Sequence, residues 1–181
     1  MTVSEKLKLD EVDQQIITLI QEDPTLTHSE IAIRINRSQP TVGIRLRKLL
    51  KSGAFKIQPG INIKNAEIYM ARVKIKTNKT QKVFELAECC PYILNCFSIL
   101  GDYNLVLLIV STEISHIEAI INKHFRANED SKKVLMDIVI DYAKDFVIPI
   151  DLEEQKRHNP SDPEKCVEEC KFYETEIIDS N

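Results

Sequence analysis

An α+β fold in two parts is what the sequence predicts, and three observations predict it. Residues 1–54 repeat apolar side chains at helical spacing and carry the signals of helix starts. Near residue 67 the period changes to strict alternation, the mark of a strand with one wet face. From there strands and helices follow in the order βαββαβ, which lays two helices on one face of an antiparallel sheet, the ferredoxin-like arrangement. The predicted divisions are a helical domain over 1–54, a strand linker over 55–66, a βαββαβ domain over 67–150 and an acidic tail over 151–181.

The first domain is justified helix by helix. In 9–22, Leu9, Val12, Ile16, Leu19 and Ile20 share one face behind Asp10 as N-cap, and Asp23-Pro24 ends the run. Thr27-His28-Ser29-Glu30 is a capping box opening a short second helix that turns Ile31, Ala32 and Ile35 inward. Asn36-Arg37 makes the turn into a third helix, capped by Ser38, with Pro40 in its first turn and Gly53 closing it. Its predicted buried stripe is Val42, Leu46, Leu49 and Leu50. Three helices with a tight turn between the last two form a helix-turn-helix of the winged-helix kind.

Charge gives that domain a direction. The chain of 181 residues carries a formal net charge of −4, but unevenly: 1–64 holds +3, 65–150 holds −1 and 151–181 holds −6. Between 33 and 56 there are seven Lys or Arg and no acid. An acidic whole therefore does not exclude a nucleic-acid partner, because the local field decides. On the third helix Gln39 and Thr41 can hydrogen-bond base edges, Ile44 can pack on a thymine methyl, and Arg45 can reach guanine or phosphate, with the N-cap Ser38 counted among the DNA-binding residues. Arg37, Arg47, Lys48 and Lys51 are placed for phosphates. The competing readings are a solvated cationic face and, for Arg45, a brace between helices.

The second domain follows from its periods. In 68–76, Ala71, Val73 and Ile75 alternate with Arg72, Lys74 and Lys76. Residues 79–90 return to helical spacing through Val83, Phe84, Leu86 and Ala87 and stop at Pro91. The apolar strands 93–100 and 105–110 flank Gly101-Asp102-Tyr103-Asn104, a hairpin turn. A second helix over 112–126 and a last strand over 134–140 complete the order. In the turn, Gly101 permits close backbone approach, and Asp102 or Asn104 can receive an ammonium group. The same residues are equally ordinary in a plain turn.

The pattern LDxxDxxIxxLxxD, then SEIA, then SxxTVxxRLxxLxxxG resembles the DNA-binding half of the leucine-responsive regulatory protein/AsnC (Lrp/AsnC) family. The final Gly53 is followed by Phe55-Lys56-Ile57, where that family has a short strand. Gly101-Asp102-Tyr103-Asn104 resembles the signature turn of its RAM-type sensing domain. The resemblance covers residues 9 to about 148. It implies a transcriptional regulator that binds double-stranded DNA as a homodimer, assembling further up to an octamer, and that answers to an amino acid or other small effector. It also implies an effector pocket near Gly101, Asp102, Tyr103, Asn104 and Asp137. Two departures touch that pocket: the family's turn commonly ends in aspartate rather than Asn104, and its last strand commonly carries threonine near Asp137.

The remaining readings concern other classes. The apolar fraction of 43% and charged fraction of 29% are those of a globular domain, with no run near the roughly 20 apolar residues of a membrane span. The start has no apolar h-region, and five cysteines with Cys89 and Cys90 adjacent do not suit a secreted disulfide framework, so a cytoplasmic protein is expected. His28, His116, His124 and His158 are scattered, and no HExxH, GxSxG or P-loop is present, so no enzyme and no cofactor is expected. The siroheme decarboxylases, which share this architecture, are the enzymatic alternative. A thiol- or metal-responsive regulator is another, with Cys166 and Cys170 at i and i+4 joining Cys89, Cys90 or Cys96, although Cys96 sits in an apolar strand and reads as core. In the tail, Asn159-Pro160 and Asp162-Pro163 interrupt any helix, after which Cys166, Cys170 and Tyr173 could share a stripe that docks.

Overall fold

In a computed structural model of the chain, residues 1–162 are described. Two compact units divide after Gln58. The first holds α1 (Val3–Lys6), α2 (Glu11–Glu22), α3 (His28–Arg34) and α4 (Gln39–Lys51). Reciprocal capping boxes open the first three: Thr2 with Glu5, Asp10 with Asp13, and Thr27 with Glu30. Ser38 caps α4 with Pro40 in its first turn, and Gly53, at φ 73°, follows its end. Asn36 takes the left-handed conformation, φ 51°, in the sharp turn between α3 and α4. The core is Ile16, Ile20, Ile31, Ala32, Val42, Leu46 and Leu49, with Leu9, Val12, Leu19 and Ile35 packed against it.

Two expectations differ from the structure of this unit and of the segment after it. Leu50 is 40% exposed, because it lies 100° around the helix from Leu49 and turns out of the stripe. Residues 55–57 form no strand; the strand of this region is β1 (Ile61–Asn62), which pairs antiparallel with β6 (Val147–Ile148). α1, four residues long, is too short for periodicity to register.

The second unit is built on β2 (Tyr69–Thr77), α5 (Thr80–Cys89), β3 (Ile93–Ser98), β4 (Leu105–Ser111), α6 (Ile114–Ile121) and β5 (Ser131–Val139). The antiparallel sheet runs β3-β4-β2-β5. Alternation in β2 sends Ala71, Val73 and Ile75 into a core shared with Leu105, Leu107 and Ile109 of β4 and with Val83, Leu86, Ile117 and Ile121 of the two helices. The second helix does not run regularly to 126: α6 ends at Ile121 and a wider π-type turn, Asn122–Arg126, follows, burying His124 and Phe125. Gly60 lies where a Cβ would run into the backbone of Ile148, so glycine is what lets β6 approach β1.

Beyond the sheet stands α7 (Leu152–Arg157), capped by Asp151. The Tyr92 hydroxyl lies 2.7 Å from the carbonyl of His158 and 3.2 Å from that of Gln155, and Gln155 Nε2 donates to the carbonyl of Pro91 at 3.0 Å. His158 and Pro160 are buried. The chain after β6 thus docks at the start of β3. Cys166, Cys170 and Tyr173, for which a docking stripe was expected, lie outside the described residues.

Candidate nucleic-acid interface

α4 has two chemically distinct sides. Val42, Leu46 and Leu49 bury one of them. Opposite, Pro40, Ile44, Arg47 and Lys51 fall at i, i+4, i+7 and i+11 with Lys48 beside them, and all are exposed. Ile44 is 64% exposed in the middle of this cationic face. The hydroxyls of Ser38 and Thr41 lie 2.8 Å apart in a hydrogen bond, and Ser38 Oγ accepts the backbone N–H of Thr41, so the pair organises the first turn. Arg37 Nη1 donates to the carbonyl of Asn36 at 2.9 Å. Gly43 packs under the His28 ring, which a Cβ would meet at 3.4 Å.

Arg45 has a different place from the one first assigned to it. Its Nη1 lies 2.6 Å from Asp10 Oδ2 and 2.9 Å from Asp13 Oδ1. It joins the middle of α4 to the capping box of α2 and holds the Asp10 carboxyl below its ordinary value. The reading of Arg45 as a guanine or phosphate contact is therefore corrected to the competing one, a brace. Its spacing on α4 places it near the exposed cationic stripe, while the carboxylates that claim it lie 35 and 32 residues back.

The turn expected to hold an effector is likewise partly committed to structure. Asn104 Oδ1 accepts the backbone N–H of Thr77 at 3.0 Å, and its Nδ2 donates to the carbonyl of the same residue at 2.6 Å. Its own backbone N–H donates to Ile75 and its carbonyl accepts from Ile99. With one hydrogen bond at each side-chain group, Asn104 clips the hairpin to the end of β2. Gly101, at φ 147°, supplies the turn's conformation, Asp102 is exposed, and Tyr103 lies with its ring centroid 5.9 Å from Lys74 Nζ. Asp137 is not part of the turn: it pairs with Arg72 at 2.7 Å across β2 and β5, which holds its carboxyl below the usual range.

Cys96 is buried, and burial pushes its thiol up to about 11, so it stays protonated and belongs to the core as expected. Among the described residues no group of three or more His, Cys, Asp or Glu side chains gathers as a metal ion would require. No helix there is long and apolar enough to cross a membrane. Sequence reasoning missed the 80% exposure of Ile33 on α3 and the role of Tyr92, whose hydroxyl anchors the end of α7 and the residue after it. Ile33 was legible as the odd position in the inward set; Tyr92 was not, because its partners lie more than 60 residues away.

A helix-turn-helix followed by an antiparallel α+β unit defines the class, a two-part DNA-binding regulator. Residues 9–56 match the winged helix-turn-helix DNA-binding model, and 69–147 match that of the Lrp/AsnC ligand binding domain. The HTH-type transcriptional regulator FL11 of Pyrococcus horikoshii is 31% identical over 58% of this chain and 72% of its own. A second regulator of that organism, PH0140, is 43% identical over 29% of this chain, which spans only about a third of that relative, 34%. Two solved structures share the fold: a Neisseria meningitidis regulator in complex with L-methionine (TM-score 0.69, 18% identity, 79% of this chain and 97% of that one) and Escherichia coli AsnC (TM-score 0.65, 14% identity, 77% and 97%). The chain belongs to the Lrp/AsnC family of helix-turn-helix transcriptional regulators.

Proposed function

We propose that the chain regulates transcription in the cytosol by binding specific double-stranded DNA as a homo-oligomer, and that a small effector, an amino acid foremost, tunes that binding. The observation that carries the DNA reading is the exposed, acid-free face of α4 on an intact three-helix frame. Its basic side chains meet phosphates while the first turns face the major groove. Titration of duplex DNA against the full chain at several salt concentrations tests it. Log affinity should fall linearly with log salt, and Lys48→Ala should flatten that slope by about one unit. A slope near zero overturns the reading.

Assembly is supported by the sheet face away from α5 and α6, where Phe97 is 43% and Leu135 40% exposed. A two-fold dimer presents two recognition helices to two half-sites. The effector reading is supported by the Neisseria relative's complex with L-methionine and by the accessible Asp102 beside Tyr103. Thermal shift against the L-amino acids and sedimentation at rising concentration test the two readings separately. A monomer at all concentrations overturns the first, and no shift with any L-amino acid overturns an amino acid as the effector.

A further inference from the structure

The side chains at the start of α4 limit which bases it can read. In a helix-turn-helix the N-terminal residues of the recognition helix contact base edges. Here these are Ser38, Gln39, Pro40, Thr41, Val42, Gly43 and Ile44. Guanine is read by a cation against O6 and N7, and cytosine by a carboxylate against its amino group. The segment holds neither. Arg45, the one cation close to it on the helix, is held by Asp10 and Asp13. Arg37 precedes the helix with its guanidinium on the Asn36 carbonyl, and Arg47 follows the segment, three residues beyond Ile44, where it is assigned to phosphate.

The hydroxyls of Ser38 and Thr41 suit either base pair and are hydrogen-bonded to each other, so discrimination falls to Gln39 and Ile44, which suit the other base pair. Gln39, exposed at the first helical position, has the paired donor and acceptor that match adenine N7 and N6. Ile44 presents an alkyl side chain, 64% exposed, at the centre of the polar face. The apolar group that the major groove offers to such a side chain is the thymine 5-methyl. We infer that α4 reads an A·T half-site core, with Ile44 packed on a thymine methyl and Gln39 paired to adenine, while Arg47, Lys48 and Lys51 hold phosphates. This rests on the DNA-binding reading above and narrows it to a sequence class.

The test begins with selection of duplexes from random DNA by the full chain. The selected operator is then compared with a copy whose half-site thymines are replaced by deoxyuridine, which removes only the 5-methyl groups. The expected result is an A·T core and about a fourfold loss of affinity per contacted methyl, the effect of withdrawing one buried methyl. Ile44→Ala, at an exposed position, should bind the thymine and uracil operators alike. Arg47→Ala should weaken both equally and keep their ratio. Selected cores with invariant G·C pairs, equal wild-type affinity for the two operators, or discrimination that survives Ile44→Ala would each overturn the inference and leave DNA binding standing. A chain that selects no sequence and binds no duplex overturns both.

Discussion

Arg45 stands one position from Ile44, yet its partners are carboxylates of α2 rather than groups outside the chain. Arg45→Ala strips the buried Asp13 carboxylate of its partner and should cost about 1–3 kcal/mol in the helix-turn-helix. It should weaken binding to all DNA sequences alike, by loosening α4; relaxed preference at one base would contradict the brace. The sign with pH is fixed by Asp10. Its carboxyl titrates below the ordinary 3.8 in the folded chain, so the contribution is complete above that value and is lost as pH falls through the lowered one. Asn104 is the corresponding residue of the second unit. Asn104→Ala leaves the Thr77 N–H and carbonyl unpaired and should also cost about 1–3 kcal/mol. Asn104→Asp should destabilise as well, since a carboxylate keeps the acceptor for the Thr77 N–H but opposes the Thr77 carbonyl with a second oxygen. A melting temperature unchanged in both would remove the clip from the account.

Among the elements, the helices of the first unit were legible because their signals are local: caps within three residues of their targets and stripes within two turns. The four main strands were legible for the same reason, since alternation in β2 is a property of nine consecutive residues. β1 and β6 escaped, being two residues each and defined by pairing across the domain rather than by any pattern. α7 escaped too, because its place is set by Tyr92 and Pro91. Deleting 152–181 should therefore lower the melting temperature of the second unit. Tyr92→Phe should reproduce part of that loss, about 1 kcal/mol, through the lost hydrogen bond. If both variants melt with the full chain, and the amides of 155–159 exchange at unprotected rates, the docking is without energetic weight.

For the molecule as a whole, pH acts on the second unit through His124. Burial holds its imidazole down to about 4 from an ordinary 6.5, with Lys123 adding to the shift. The unfolded chain therefore binds the proton first, and stability present above pH 6.5 is lost progressively towards pH 4, on the order of 3 kcal/mol over the window. Melting curves at pH 7.5 and 5.0 should show it, and His124→Gln should flatten the difference; an equal drop in the variant would place the sensitivity elsewhere. The acid sensitivity from Asp10 lies lower and in the other unit, so the two are separable by temperature and pH. The sequence by itself determined the fold class, the order of the main elements, the helix starts and the cationic side of α4, because each is encoded in neighbours along the chain. Only the tertiary structure decided which polar groups on those elements are free to act. Arg45, Asn104 and Asp137 were all candidates by position, and all are claimed by partners 27 to 65 residues away. A charge or an amide is available to a ligand only where the fold has left it open, and that is settled by distance in space, which spacing along the chain does not contain.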